Sequence, residues 1–219
     1  LNLSPTLSAL LGRIPELLKA AKELKPGFLG LQYMALLPDK QILFQSDLDL
    51  DTDGREDPGI RYEPTHQKQT SIDPSGKVVS SNSTPYIVLP MRWGKELGIR
   101  MGDVAAVMYN GRLEFAVLAD AGPAKKIGEG SIALHRSLGF ERVRSDGRIR
   151  DVGIDANVVT IVFPNTGDGT AQTPAKIREI GAKLLRPGDP VARCLERSGK
   201  AQRAGQVLGP AAIAALLTA

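Results

Sequence analysis

The stretch "DVAAVMYNGRLEFAVLAD" (103–120) decides the fold. Two β-rich runs flank Asn110-Gly111, a pair favoured in the type I′ hairpin turn because both central residues there take positive φ. The second arm stays apolar to Ala119 and then ends on a carboxylate, Asp120. Further strand-like runs lie on either side: "LQYMAL" (31–36), "QILFQ" (41–45), "YIVLP" (86–90) and "NVVTIVFP" (157–164). Helical spacing is confined to the edges. "PTLSALLGRIPELLKAAKEL" (5–24) runs until "KPG" stops it, and "LGPAAIAALLTA" (208–219) reads as a docked helix. Inside the strand-rich part, "SIALHRSLG" (131–139) has a serine cap and a glycine past its end. "TPAKIREIGAKLL" (173–185) has Thr173 as cap and Pro174 at its first position. Strands and helices do not alternate, so a doubly wound sheet is excluded. The order predicts a mainly β protein with helices (α+β), a small β-barrel with peripheral helices at both termini.

Composition narrows the function. Over 219 residues, 42% hydrophobic and 24% charged content is that of an ordinary globular chain, large enough for a substantial core. No run is long enough to span a membrane. One cysteine, Cys194, excludes an intrachain disulfide and a cysteine-rich zinc site. The net charge of +4 raises the question of nucleic acid. Its basic residues, however, scatter through 142–150 and 193–203 without interleaved aromatics, which reads as solvated surface charge and not as a nucleic-acid interface. A chain starting "LNLSPTLS", with neither Met nor a signal-type n-region, is expected to be a processed form.

The acids are more informative. In "SDLDLDTDG" (46–54), Asp47, Asp49, Asp51 and Asp53 alternate with Leu48, Leu50 and Thr52. Strand geometry would put all four carboxylates on one face, where like charges are costly unless a cation meets them. The stretch also reads as the first half of an EF-hand loop, but its twelfth position is Ile60 where a bidentate Glu is needed. Another divalent-cation site, a solvated acidic turn and a face for a cationic ligand all stay open. Glu129 stands on what reads as a Gly-Glu-Gly turn in "IGEGS", nine residues after Asp120. Two carboxylates flanking a groove are what glycoside hydrolysis needs, one protonating the leaving oxygen and one serving water or sugar. Asp at a turn and Glu near a helix N-terminus are also common structural choices. His66 and His135 are the only histidines, and no nucleophile elbow, Walker loop or zincin motif is present. Tyr86, Trp93 and Tyr109 are candidate sugar platforms, or simply core and edge aromatics.

The string "ADAGPAKKIGEGSIALHRSLG" (119–139) resembles the glycoside hydrolase family 75 chitosanases. "DLDLDTDG" (47–54), "NSTPYIVLP" (82–90) and "VTIVFPNTGDG" followed by the 173–185 helix resemble the family's other segments in order. More remotely, the hairpin with D-x-G-P and a short helix is similar to the double-psi β-barrels of the expansin and rare-lipoprotein-A group. The resemblance implies a six-stranded double-psi-type barrel. It also implies endo-hydrolysis of β-1,4-linked glucosamine, the polymer chitosan or a related amino-sugar polysaccharide, with inversion and without a cofactor or metal. Asp120 would be the acid and Glu129 the base, with Asp47, Asp49, Asp51, Asp53 and Tyr86 binding substrate. A non-catalytic wall-loosening module and a peptidoglycan-cleaving enzyme are the alternatives. The chain would divide into a helical extension (1–29), a catalytic barrel (30–186) and a basic segment with a helix (187–219). Its substrate would place it outside the cell or in the periplasm.

Overall fold

Asn110 (φ 47°) and Gly111 (φ 74°) turn the chain as the hairpin requires. The computed structural model, which describes residues 22–37 and 39–185 together with 200 and 202, pairs β5 (Val104–Tyr109) with β6 (Arg112–Ala121) from Tyr109↔Arg112 to Val104↔Val117. The other strands are β1 (Lys22–Glu23), β2 (Leu31–Leu36), β3 (Ile42–Asp51), β4 (Tyr86–Leu89), β7 (Glu129–Ser131) and β8 (Ile154–Phe163). Three short helices are α1 (Met91–Glu96), α2 (Ile132–Ser137) and α3 (Pro174–Leu184).

Six strands close a barrel in the order β3-β7-β4-β6-β5-β8, because β8 also pairs back onto β3. The protein is mainly β with helices. Two of the barrel's pairings are parallel, β3–β7 and β4–β6, and the rest are antiparallel. Parallel neighbours need crossover connections, which is what a psi-type barrel contains and a meander lacks. The ten-residue β3 makes closure possible. Its first half pairs with β2, while Asp49–Asp51 pair with β7.

Alternate residues of the ring fill its interior: Phe44, Leu48, Ile87, Leu89, Val107 and Leu118, with Leu134 of α2 packed among them. The outer faces of β4, β5 and β6 are covered as well. Val88, Val104, Val117 and Ala119 pack with Ile177 of α3, and Gly181 of α3 lies so close to the Phe115 ring that any side chain there would collide. Burial on both faces explains why these strands read as continuous apolar runs.

The helix caps are those the sequence predicts. Ser131 Oγ accepts from Leu134 N (3.1 Å), and Thr173 Oγ1 from Lys176 N (3.3 Å). Most of the 5–24 helix lies outside the described residues. Its last turn does not hold, because Lys22 and Glu23 add to the sheet edge opposite Leu36 and Ala35. The 208–219 helix also lies outside the described residues. No helix among the described residues is long and apolar enough to cross a membrane.

Candidate active site

Asp120 is aimed by a fault in strand pairing. From Leu118 to Asp120 the chain of β6 advances two residues while β4 advances one, from Ile87 to Val88. Ala119 is the extra residue of this β-bulge. Strict alternation would put Asp120 on the side of Leu118, inside the barrel, but the bulge moves it beside Val88 on the outer face. There its Oδ1 accepts from Ser71 Oγ (2.5 Å), Ser71 N (3.0 Å) and its own neighbour Ala121 N (2.7 Å). Ser71 belongs to the long 52–85 segment. That segment is anchored here by Ile72 N donating to Ala119 O (3.0 Å) and by Asp73, whose carboxylate takes Ser75 Oγ, Val78 N and Val79 N.

Glu129 corrects the sequence reading. It lies on the three-residue strand β7, not on a free glycine turn, and is paired with Asp49 on one side and Val88 on the other. Its flanking glycines serve close packing. A Cβ on Gly128 would run into Asp47, and one on Gly130 would sit 2.8 Å from Leu134 Cδ2. Lys126 Nζ bridges Glu129 Oε1 (3.0 Å) and Asp49 Oδ2 (2.7 Å). The other oxygen, Oε2, faces Gly122, where an added Cβ would come within 2.9 Å.

Pairing thus sets four residues in a row across four strands: Asp120, Val88, Glu129 and Asp49. Two strand spacings separate Asp120 from Glu129, about 10 Å at the backbone, with the buried Val88 between them.

A second group of acids adjoins Asp120. Oxygens of Asp51, Asp53 and Asp120 lie within 4.8 Å of one another. Burial raises Asp51 from 3.8 to about 7 against the Asp53 N–H and Tyr86 hydroxyl that favour its anion, and raises Asp53 to about 6. Asp47, also raised to about 6 by burial and by Asp49, lies at the far end of the row. The Tyr86 hydroxyl stands 2.9 Å from both Asp51 Oδ1 and Asp53 O. One hydroxyl carries one proton, so Asp51 Oδ1 and Asp53 O share it. The trio of Asp51, Asp53 and Asp120 has the spacing to hold a cation, but three acids alone do not make a metal site.

Tyr86 requires a second correction. It is fully buried, so it offers no platform to a sugar and instead supports Asp51 from below. The acidic row is also altered, since β3 ends at Asp51 and leaves Asp53 beyond the strand, on the bend that carries Gln67 N to its Oδ1 (2.7 Å). His135 takes no part in nucleophile chemistry. It is buried, with Nδ1 3.0 Å from Ser131 O and Nε2 3.0 Å from Leu48 O, tying α2 to β3.

Depressions open at Asp120 and at the residues that follow it. One, of about 160 Å³, includes Gln69, Ser71 and Pro74. The other, of about 420 Å³, runs past Ala121 and Gly122 to Trp93 on α1, whose ring packs edge-on against Phe28. Lys126, Ser71 and Gly122 are the functional neighbours that sequence reasoning missed. Only Gly122 left a signal, as part of the D-x-G-P string.

The fold is a closed six-stranded β-barrel that carries two carboxylates in one row across its strands, and the family match makes it a glycoside hydrolase. The family model described as fungal chitosanase of glycosyl hydrolase group 75 matches residues 48–186, and the chain belongs to that family. No curated protein is matched by the chain.

Proposed function

We propose that the protein is an endo-acting, inverting chitosanase that cleaves β-1,4-linked glucosamine polymer, with Asp120 as general acid and Glu129 as general base. The observation that carries this reading is the row Asp120–Val88–Glu129. It puts two carboxylates on one face with about 10 Å between their backbones. That spacing is compatible with the roughly 6.5–9.5 Å between carboxyl groups at which an inverting enzyme leaves room for water between base and sugar. A hollow at Asp120 and a second beside Ala121 and Gly122 suit a polymer running past the site. Chitosan carries an ammonium group on each sugar, and the acids of β3 are its electrostatic complement.

In this mechanism Asp120, held by Ser71, gives its proton to the glycosidic oxygen as the bond to the anomeric carbon breaks. Glu129 Oε2 takes a proton from the water that attacks the opposite face of the sugar. Each cycle leaves the acid deprotonated and the base protonated, and exchange with solvent resets both. The substrate's location makes the working compartment extracellular or periplasmic.

The test is release of reducing ends from highly deacetylated chitosan by wild type, Asp120→Asn and Glu129→Gln, with the anomer of the first product followed by NMR. Loss of activity in both folded variants and an α-anomer from wild type support the reading. Binding without cleavage by wild type replaces it with a polysaccharide-binding module, and a β-anomer rules out inversion.

A further inference from the structure

The loop between β6 and β7 is held by its backbone. Lys126 N donates to Pro123 O (3.3 Å), Ile127 N donates to Leu29 O (3.3 Å), and the Ile127 side chain is buried in the core. The Lys126 side chain is therefore not needed to fix the loop, yet its ammonium is placed between two carboxylates, 3.0 Å from Glu129 Oε1 and 2.7 Å from Asp49 Oδ2. Among the described residues no other cation pairs with either acid.

The two oxygens of Glu129 have different surroundings. Oε1 is taken by Lys126, and Oε2 faces Gly122, which has no side chain to cover it. Gly122 lies two residues past Asp120 and on the wall of the larger hollow. A carboxylate that takes a proton from water needs one oxygen anchored and the other open to the cleft, and it must start as an anion.

We propose that Lys126 is a positioning residue for Glu129. It fixes Oε1 so that Oε2 points at the water site, and it keeps the carboxylate ionised in a crowd of like charges. The titratable groups around Glu129 are Asp47 and Asp49 from β3, Asp53 just beyond it, Asp155 of β8, which acts on Asp47, and Asp120 of β6, which carries a proton in this mechanism. An anionic base in such company needs a cation. Burial disfavours the Lys126 charge, but its bonds to Asp49 and Glu129 prevail and hold the ammonium above its ordinary range. The inference rests on Glu129 being the base.

The experiment compares kcat and kcat/KM against pH on deacetylated chitosan for wild type, Lys126→Met, Lys126→Gln, Lys126→Arg and Glu129→Gln, each checked by thermal melting. Loss of the cation is expected to lower kcat at least about tenfold with little change in KM. It should also move the acidic limb of kcat/KM up by about one pH unit, because a nearby opposite charge is worth one unit or more. Lys126→Arg should restore the limb. If the Met variant does not fold, the Gln variant carries the comparison. A limb that stays at the wild-type position in the folded variants, with Glu129→Gln inactive, overturns the role of Lys126 and leaves the site intact, and lost melting temperature with no movement of the limb does the same. An active Glu129→Gln overturns the site itself, and the proposal with it.

Discussion

Two neighbouring groups of acids, at opposite ends of one short stretch, meet the same electrostatic difficulty in different ways. Around Glu129, the cluster with Asp49 is bridged by a lysine ammonium. Around Asp120, the cluster with Asp51 and Asp53 has no Lys or Arg ion-paired to it among the described residues. There, burial and the neighbouring acids outweigh the hydrogen bonds and favour protons on Asp51 and Asp53, which are raised to about 7 and about 6. One end is rich in cation and the other rich in protons. Acid–base catalysis by two carboxylates depends on such a difference in surroundings, which is the difference the proposed roles of Asp120 and Glu129 require.

The sharpest way to break the comparison is to neutralise one end at a time. Asp120→Asn and Glu129→Gln are each expected to lower kcat by about 10²–10⁴-fold with melting temperature near wild type. If only one variant loses activity, the ends are not partners. Azide added to the Glu129→Gln variant should then restore turnover by standing in for the base, and it should not help Asp120→Asn.

Gly122→Ala comes next. Its new methyl would meet Glu129 Oε2 and Val88 Cγ1, each at 2.9 Å. Displacing the base by a fraction of an ångström to one ångström should cost up to about 100-fold in kcat, measured beside an unchanged circular dichroism spectrum. Full activity would show that Oε2 does not work on the Gly122 side.

Asp51→Asn tests the proton-rich end through stability. A carboxyl whose folded pKa is raised binds more protons folded than unfolded between about pH 4 and pH 7. Its contribution is intact below pH 4 and is lost as pH rises through 7. Wild type should therefore weaken across that window, with Asp53 and Asp47 adding the same sign up to about pH 6. The Asn variant should show a flatter profile and exceed wild type at pH 8 by on the order of 2–4 kcal/mol, read from urea unfolding at pH 4, 6 and 8. A wild-type profile that is flat or rising between pH 4 and pH 7 would remove the distinction between the two ends.

The smallest effect expected is that of salt. If the β3 acids attract a cationic polymer, KM for chitosan should rise a few-fold between low and physiological ionic strength while kcat stays constant. A KM independent of salt would detach these acids from substrate binding.

Much of this fold was legible in local sequence. The Asn110-Gly111 hairpin, the caps at Ser131 and Thr173, and the buried strands at 86–90 and 157–164 all express preferences that act over a few residues. Asp120 and Glu129 could be singled out because a carboxylate at the end of an apolar run and one between glycines both break the local pattern. Their arrangement was not legible. A three-residue strand such as β7 carries no period, and its pairing with β3 and β4 joins residues about 80 and about 40 positions apart. The bulge at Ala119 exists only in relation to β4, and Tyr86 is buried only because Ile72 and Val79 of the 52–85 segment pack with it on the outer face of the barrel. Lys126 is one lysine of the pair Lys125-Lys126, and nothing in the string tells which one turns inward. Sequence alone determined the longer strands, the two caps and the acids, because those follow from backbone preference and patterning within a few residues. Tertiary structure alone decided which acids share a face, which is open and which cation meets them, because these depend on register between strands far apart in the chain.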